Sequence, residues 1–208
     1  GNLMSDQVEL TDPVDHSVGG MYGHLFRRGF HIGMSIIPFV YFEFGEKIAD
    51  YLSITVVQVV SLLTLVLVFG EAIRLKLGIT IFGQRDYESH QVSALAWGGF
   101  AVGLTFLILP ESPELVWPLI LSLSLGDPFL GEIRRKGLEP KSVFMWGSIF
   151  IALIWIACFY RLDTPLWMAL VMGPLCVAAE WPRLRWIDDN ATMLLIPLAA
   201  TIILVPWM

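Results

Sequence analysis

Apolar residues fall in seven blocks along this chain, near 30–44, 51–70, 91–109, 114–130, 143–160, 165–181 and 190–207. Several approach the roughly 20 residues that a helix needs to cross a bilayer. Backbone groups in lipid must be satisfied within the segment, so such blocks are either helices or strands of a closed barrel. They do not alternate strictly and exceed the roughly 9–11 residues of a barrel strand, which favours helices. Seven spans of about 20 residues would use about 140 of the 208 residues, leaving short connections and no separate soluble domain. The expected fold is therefore all-α, a polytopic transmembrane bundle of about seven spans. Composition agrees, since 15% of the residues are charged and 56% are hydrophobic. A soluble domain carries about 25% charged residues.

The expected boundaries follow from the local sequence. The first block has a lead-in turn reaching back to Gly23, and the fourth is expected to be interrupted at Gly126-Asp127-Pro128. Residues 1–22 read as a polar tail, with Gly1 to Leu3 ahead of Met4 set aside as an expression remnant, and 23–208 as one transmembrane catalytic domain. The tail lacks the cationic start, apolar run and small-residue cleavage site of a signal peptide. The net charge of −6 argues against nucleic acid as a partner, because such proteins present basic patches. Cys158 and Cys176 lie inside apolar blocks without CxxC spacing, so neither a metal site nor a disulfide framework follows from them.

Cations set the expected orientation. Seven spans place Arg27, Arg28, Arg74, Lys76, Arg85, Arg134, Arg135, Lys136, Lys141, Arg183 and Arg185 on one side, and only Lys47 and Arg161 on the other. The positive-inside rule puts the first group, and with it the N-terminus, in the cytoplasm, and the C-terminus on the opposite side. The protein is then an integral, multi-pass protein of a cell membrane or endomembrane.

The same side collects the polar residues least expected beside lipid. His24, Arg27, Arg28 and His31 have the spacing of one helical stripe. Glu71 and Arg74 end the second block at i,i+3, and Glu88 and His90 precede the third. Asp127 follows Gly126, Lys141 and Ser142 open the fifth block, Glu180 closes the sixth, and Asp188, Asp189 and Asn190 start the seventh. On the far side, Glu43, Glu46, Lys47, Asp50, Glu111, Glu114, Arg161 and Asp163 read as a solvated rim. Carboxylates and an Asn amide suit Mg²⁺ or another divalent cation, with substrate phosphates completing the shell. Arg and Lys offset phosphate charge. Phosphoryl transfer asks for little beyond positioning and charge stabilisation, so this set is sufficient in kind. A Walker motif is absent: Gly126 and Gly131 have its glycine spacing, but Glu132-Ile133 stands where Lys-Ser/Thr is needed.

In this order the motifs resemble the polyprenol (dolichol/phytol) kinase family, integral membrane enzymes that use CTP to phosphorylate lipid alcohols. The resemblance spans about 24–200. It rests on Arg27-Arg28-Gly29-Phe30-His31, Glu71-Ala-Ile-Arg74, Glu88-Ser89-His90, Leu125-Gly126-Asp127-Pro128-Phe129, and Glu180 followed by Asp189-Asn190-Ala191-Thr192 and Pro197. The family's Lys-Thr-x-Glu-Gly-Ser segment is matched here only by Lys141-Ser142 and Gly147-Ser148, with two extra residues between them and no Glu before Gly147. The resemblance implies Asp127, Glu88, His90 or Glu71 as the catalytic group. It implies Arg74, Lys141, Ser142, Gly126, Gly131, Arg27 and His31 for nucleotide binding, and Asp127, Asp189, Asn190 and Glu180 for the metal. CTP would be the donor, and a lipid alcohol in the membrane the acceptor. The oligomeric state stays open, a homo-oligomer being compatible. A CTP-dependent cytidylyltransferase making a CDP-lipid is a chemical neighbour with similar demands, and a small transporter is the alternative from another class.

Overall fold

The computed structural model describes residues 18–81, 84, 92–181 and 187–208. Every regular element among them is helical: α1 (Gly20–Gly33), α2 (Ile37–Leu52), α3 (Val56–Leu77), α4 (Ala94–Ile108), α5 (Pro113–Arg135), α6 (Pro140–Leu162), α7 (Met168–Glu180) and α8 (Asp189–Leu204). Short 3₁₀ turns join α1 to α2 over Met34–Ile36 and follow α8 over Val205–Trp207.

Among the described residues, three stretches are long and apolar enough to cross a membrane: Val56–Leu77, Pro140–Leu162 and Asp189–Trp207. Helices α4 and α7 are apolar but have only 15 and 13 residues. At 1.5 Å per residue they reach about 22 and 20 Å, short of a hydrocarbon core of about 30 Å. The structure is thus that of a helical membrane protein. Helix α3 shows this most clearly, since no residue of its apolar stretch is buried in the fold.

Several boundaries differ from expectation. The run expected over 51–70 begins at Val56, because Thr55 and Gln58 form a reciprocal capping box. It continues to Leu77, so Glu71 and Arg74 lie within its last two turns rather than just beyond it. The first block extends through α2 to Leu52, which makes Glu43, Glu46, Lys47 and Asp50 an exposed helical face rather than a loop. Ser53 then stops α2 in the left-handed region at φ 58°.

Helix α5 is not interrupted at Gly126-Asp127-Pro128; it is continuous to Arg135. A proline inside a helix removes one amide donor and leaves the carbonyl four residues earlier unsatisfied. At Pro118 the freed partner is Glu114 O, and the Thr164 hydroxyl donates to it at 2.6 Å. In lipid an unpaired carbonyl costs several kcal/mol, so Thr164 helps α5 tolerate its proline.

Helix α5 is central, packed against α1, α2, α4, α6 and α8. The core along it contains Val116, Leu119, Ile120, Leu123 and Leu130, with Ile151 and Trp155 from α6, Met172 and Val177 from α7, and Met193 and Leu194 from α8. Trp155 is fully buried, and its Nε1–H donates to Ser122 Oγ at 3.0 Å. Gly126 lets these helices meet: a Cβ there would lie 3.0 Å from Met193 and 3.3 Å from Ile151.

Candidate active site at one end of the bundle

The stripe on α1 forms as the spacing indicates, and His24, Arg27, Arg28 and His31 all face one cavity. Opposite them, Asp127, Gly131 and Arg134 succeed one another at i, i+4 and i+7 on unbroken α5, which puts all three on one face. Arg135, Glu180 from the end of α7, and Asp189 and Asn190 from the start of α8 complete the wall of about 170 Å³.

One carboxylate oxygen from each of Asp127, Glu180 and Asp189 lies within 4.8 Å of the other two. Three like charges so close repel one another strongly unless a cation intervenes. Part of the compensation is internal. Arg134 grips Glu180 with both terminal guanidinium nitrogens, Nη1 to Oε1 and Nη2 to Oε2, the latter at 2.6 Å. His31 Nε2 lies 3.2 Å from Leu123 O and 3.5 Å from Asp127 Oδ2. The Leu123 carbonyl can only accept, so this nitrogen carries the hydrogen and donates it there, with Asp127 alongside. Asp188 caps α8, accepting from Asn190 N–H at 2.9 Å, while Asn190 Nδ2 donates to Ala94 O at 3.2 Å. That bond fixes the start of α8 against the start of α4.

Hard oxygen donors from three carboxylates suit a divalent cation such as Mg²⁺, and their convergence gives that ion a reason to bind. Arg27, Arg28, Arg134 and Arg135 in the same wall favour an anion beside it. Arg28 is held in place by Nη1, which donates at 2.9 Å both to Pro128 O and to Glu132 Oε1. The cavity is therefore amphoteric, with an acidic half and a basic half.

Other expected site residues are elsewhere. Glu71 and Arg74 do not line the cavity. Arg74 donates from Nε and Nη2 to the two Glu71 oxygens at 3.0 and 2.5 Å, and from Nη1 to Ile79 O at 2.8 Å. Ser93 then donates its N–H and hydroxyl to Glu71 at 2.7 and 3.2 Å. This clasp fastens the end of α3 to the start of α4 and leaves Glu71 no free oxygen for catalysis. Lys141 and Ser142 lie in the first turn of α6 and are not part of the cavity wall. Gly126 is a packing glycine among apolar side chains rather than part of a phosphate cradle. Gly131 does line the cavity, beside the Arg28 guanidinium. Glu88 and His90 lie outside the described residues.

Sequence reasoning gave Arg134 and Arg135 no site role beyond marking the inner face, and Arg28 only a place in the α1 stripe and its motif, although all three line the cavity. The signal for Arg134 was its seven-residue offset from Asp127, which counts only if the helix runs through Pro128. No protein-family model, curated protein or solved structure compared with the chain matches it.

Proposed function

We propose that this protein is a membrane-embedded, metal-dependent phosphotransferase that moves a phosphoryl group from CTP to the hydroxyl of a lipid alcohol. The observation that carries this reading is the convergence of Asp127, Glu180 and Asp189 with four arginines in one cavity at the helix ends. Few ligands want three carboxylates and several guanidiniums together; a metal-bound polyphosphate does. A volume of about 170 Å³ has room for a diphosphoryl group and its ion, so the nucleoside would extend out of the mouth.

In this reading Asp127, Glu180 and Asp189, with Asn190 beside them, would hold Mg²⁺, which neutralises donor phosphate charge when bound. Arg134 orients Glu180, as the groups behind metal ligands commonly do. His31 orients Asp127. Arg28, Arg27 and Arg135 steady the transferred group. Of the groups considered for accepting the hydroxyl proton, two are among the described residues: Asp127 is in the cavity wall, and Glu71 is fully engaged elsewhere.

We read the bundle as crossing the membrane seven times, α1 and α2 together forming the first pass and the cavity facing the cytoplasm. The support is the distribution of cations along the sequence, where seven passes would put eleven on the side read as cytoplasmic and only Lys47 and Arg161 on the other. An acceptor with its chain in the bilayer and its hydroxyl at the interface then meets the donor at the depth of Asp127.

The test is incubation of purified protein in detergent with Mg²⁺, each of CTP, ATP, GTP and UTP, and a panel of lipid alcohols, followed by mass analysis. Lipid monophosphate together with CDP supports the reading. Pyrophosphate and a CDP-lipid from a lipid phosphate would make the protein a cytidylyltransferase. No turnover with any pair would overturn the assignment.

A further inference from the structure

Helix α1 has two faces of opposite character. At 100° per residue, His24, Arg27, Arg28 and His31 occupy one side and turn inward to the cavity. The other side carries Tyr22, Leu25, Phe26 and Phe30, flanked by Met21 and Ile32, all exposed, with Tyr22 at 79%, Leu25 at 55% and Phe26 at 56%. A soluble amphipathic helix does the reverse, turning its apolar face to the protein and its charged face to water. A contiguous apolar surface of this kind, left outside by the fold, marks an interface.

Its occupant follows from what the surface joins. The 3₁₀ turn Met34–Ile36 carries α1 directly into α2, where the exposed apolar surface continues through Ile36, Ile37, Phe39 and Val40. The uncovered apolar surface of α3, with Leu63, Val66 and Phe69, belongs to a helix long enough to span the bilayer. Depth follows from α5: Arg28 meets Pro128 and Glu132, His31 meets Leu123, and Tyr41 reaches Pro110. Helices α1 and α2 therefore run antiparallel along α5, and α1 stands at its charged end. Tyr and Phe at that level suit the boundary between headgroups and acyl chains.

We infer that the outer face of α1 is embedded in that boundary, with membrane lipid as its partner, so that a single helix separates the cavity from the bilayer. This rests on the membrane reading above and not on the identity of the reaction. It gives a bilayer-held acceptor a short path, around one helix of about 10 Å diameter, to the Asp127 cluster.

The experiment uses the full chain in vesicles of phosphatidylcholine and phosphatidylglycerol, in a Cys158→Ala, Cys176→Ala background. Nitroxides are placed singly at Leu25→Cys and Phe26→Cys, with Val66→Cys on α3 and Lys136→Cys beyond α5 as references. Collision with dissolved oxygen and with a water-soluble nickel chelate is read by electron paramagnetic resonance. The inference expects both α1 labels to favour oxygen over nickel several-fold, at a depth between those of the two references. Nickel-accessible α1 labels beside an oxygen-accessible Val66 label would overturn it, as would immobilised α1 labels shielded from both reagents by another part of the chain. Nickel access at Val66 itself would instead sink the membrane reading.

Discussion

Two clusters built around carboxylates occupy the same end of the bundle, one on Glu71 alone and one on three acidic residues, and they are built in opposite ways. At the clasp between α3 and α4, Glu71 receives four hydrogen bonds from Arg74 and Ser93, so each of its oxygens is engaged. Around the cavity, three carboxylates from α5, α7 and α8 face one another, with Arg134 paired to Glu180 and His31 beside Asp127. The first arrangement is electrostatically closed and stabilises the fold without help. The second brings three carboxylate oxygens together around one point, an arrangement that a bound cation would stabilise. An acidic residue at a helix end near arginine is thus uninformative until the fate of its oxygens is known.

The largest effect that would test this contrast is expected at Asp127. Replacing it with Asn should lower metal-dependent turnover by on the order of 10³, the several kcal/mol that a positioned metal contributes, while the helical fold persists. Normal turnover by that variant, measured alongside circular dichroism, would remove Asp127 from the site. Glu71→Gln should behave in the converse way. Breaking one side of a buried ion pair costs about 3 kcal/mol of stability, yet turnover per folded molecule should stay close to that of the parent. A denaturation midpoint equal to the parent's, combined with lost activity, would merge the two clusters into one.

A smaller change is expected at Arg134→Lys, which keeps the charge but loses the two-pronged grip on Glu180. Metal affinity should fall about 10–100-fold, as for other groups that orient a metal ligand, and titration of activity against Mg²⁺ would detect it. At the bottom of the scale, Lys47→Ala and Arg161→Ala at the far end should leave turnover unchanged. A large loss in either would contradict the placement of the site.

How much of this was legible in the sequence depended on whether local rules were decisive. The polar stripe of α1 was readable because i, i+3, i+4 and i+7 spacing fixes a helical face whatever the rest of the chain does. Asp127, Glu180 and Asp189 were each identifiable as carboxylates at helix ends on one side. Their convergence was not, since it depends on how α5, α7 and α8 pack. The continuation of α5 through Pro128 was missed because Gly-Asp-Pro is a turn signal in water, whereas inside the bundle neighbouring helices hold the chain helical. That error hid Arg134, whose relation to Asp127 exists only on an unbroken helix. The assignment of Glu71 failed for a different reason: its decisive partner, the amide of Ser93, is 22 residues away. The start of α3 was available from Thr55-x-x-Gln58, a capping signature overshadowed by the apolar block around it.

The most direct measurement is binding of Mn²⁺, as a paramagnetic substitute for Mg²⁺, to the purified protein in the absence of any nucleotide. The account predicts one saturable site that is present in Glu71→Gln and lost in both Asp127→Asn and Asp189→Asn. Binding that survives both aspartate substitutions, or that disappears with Glu71, would contradict it.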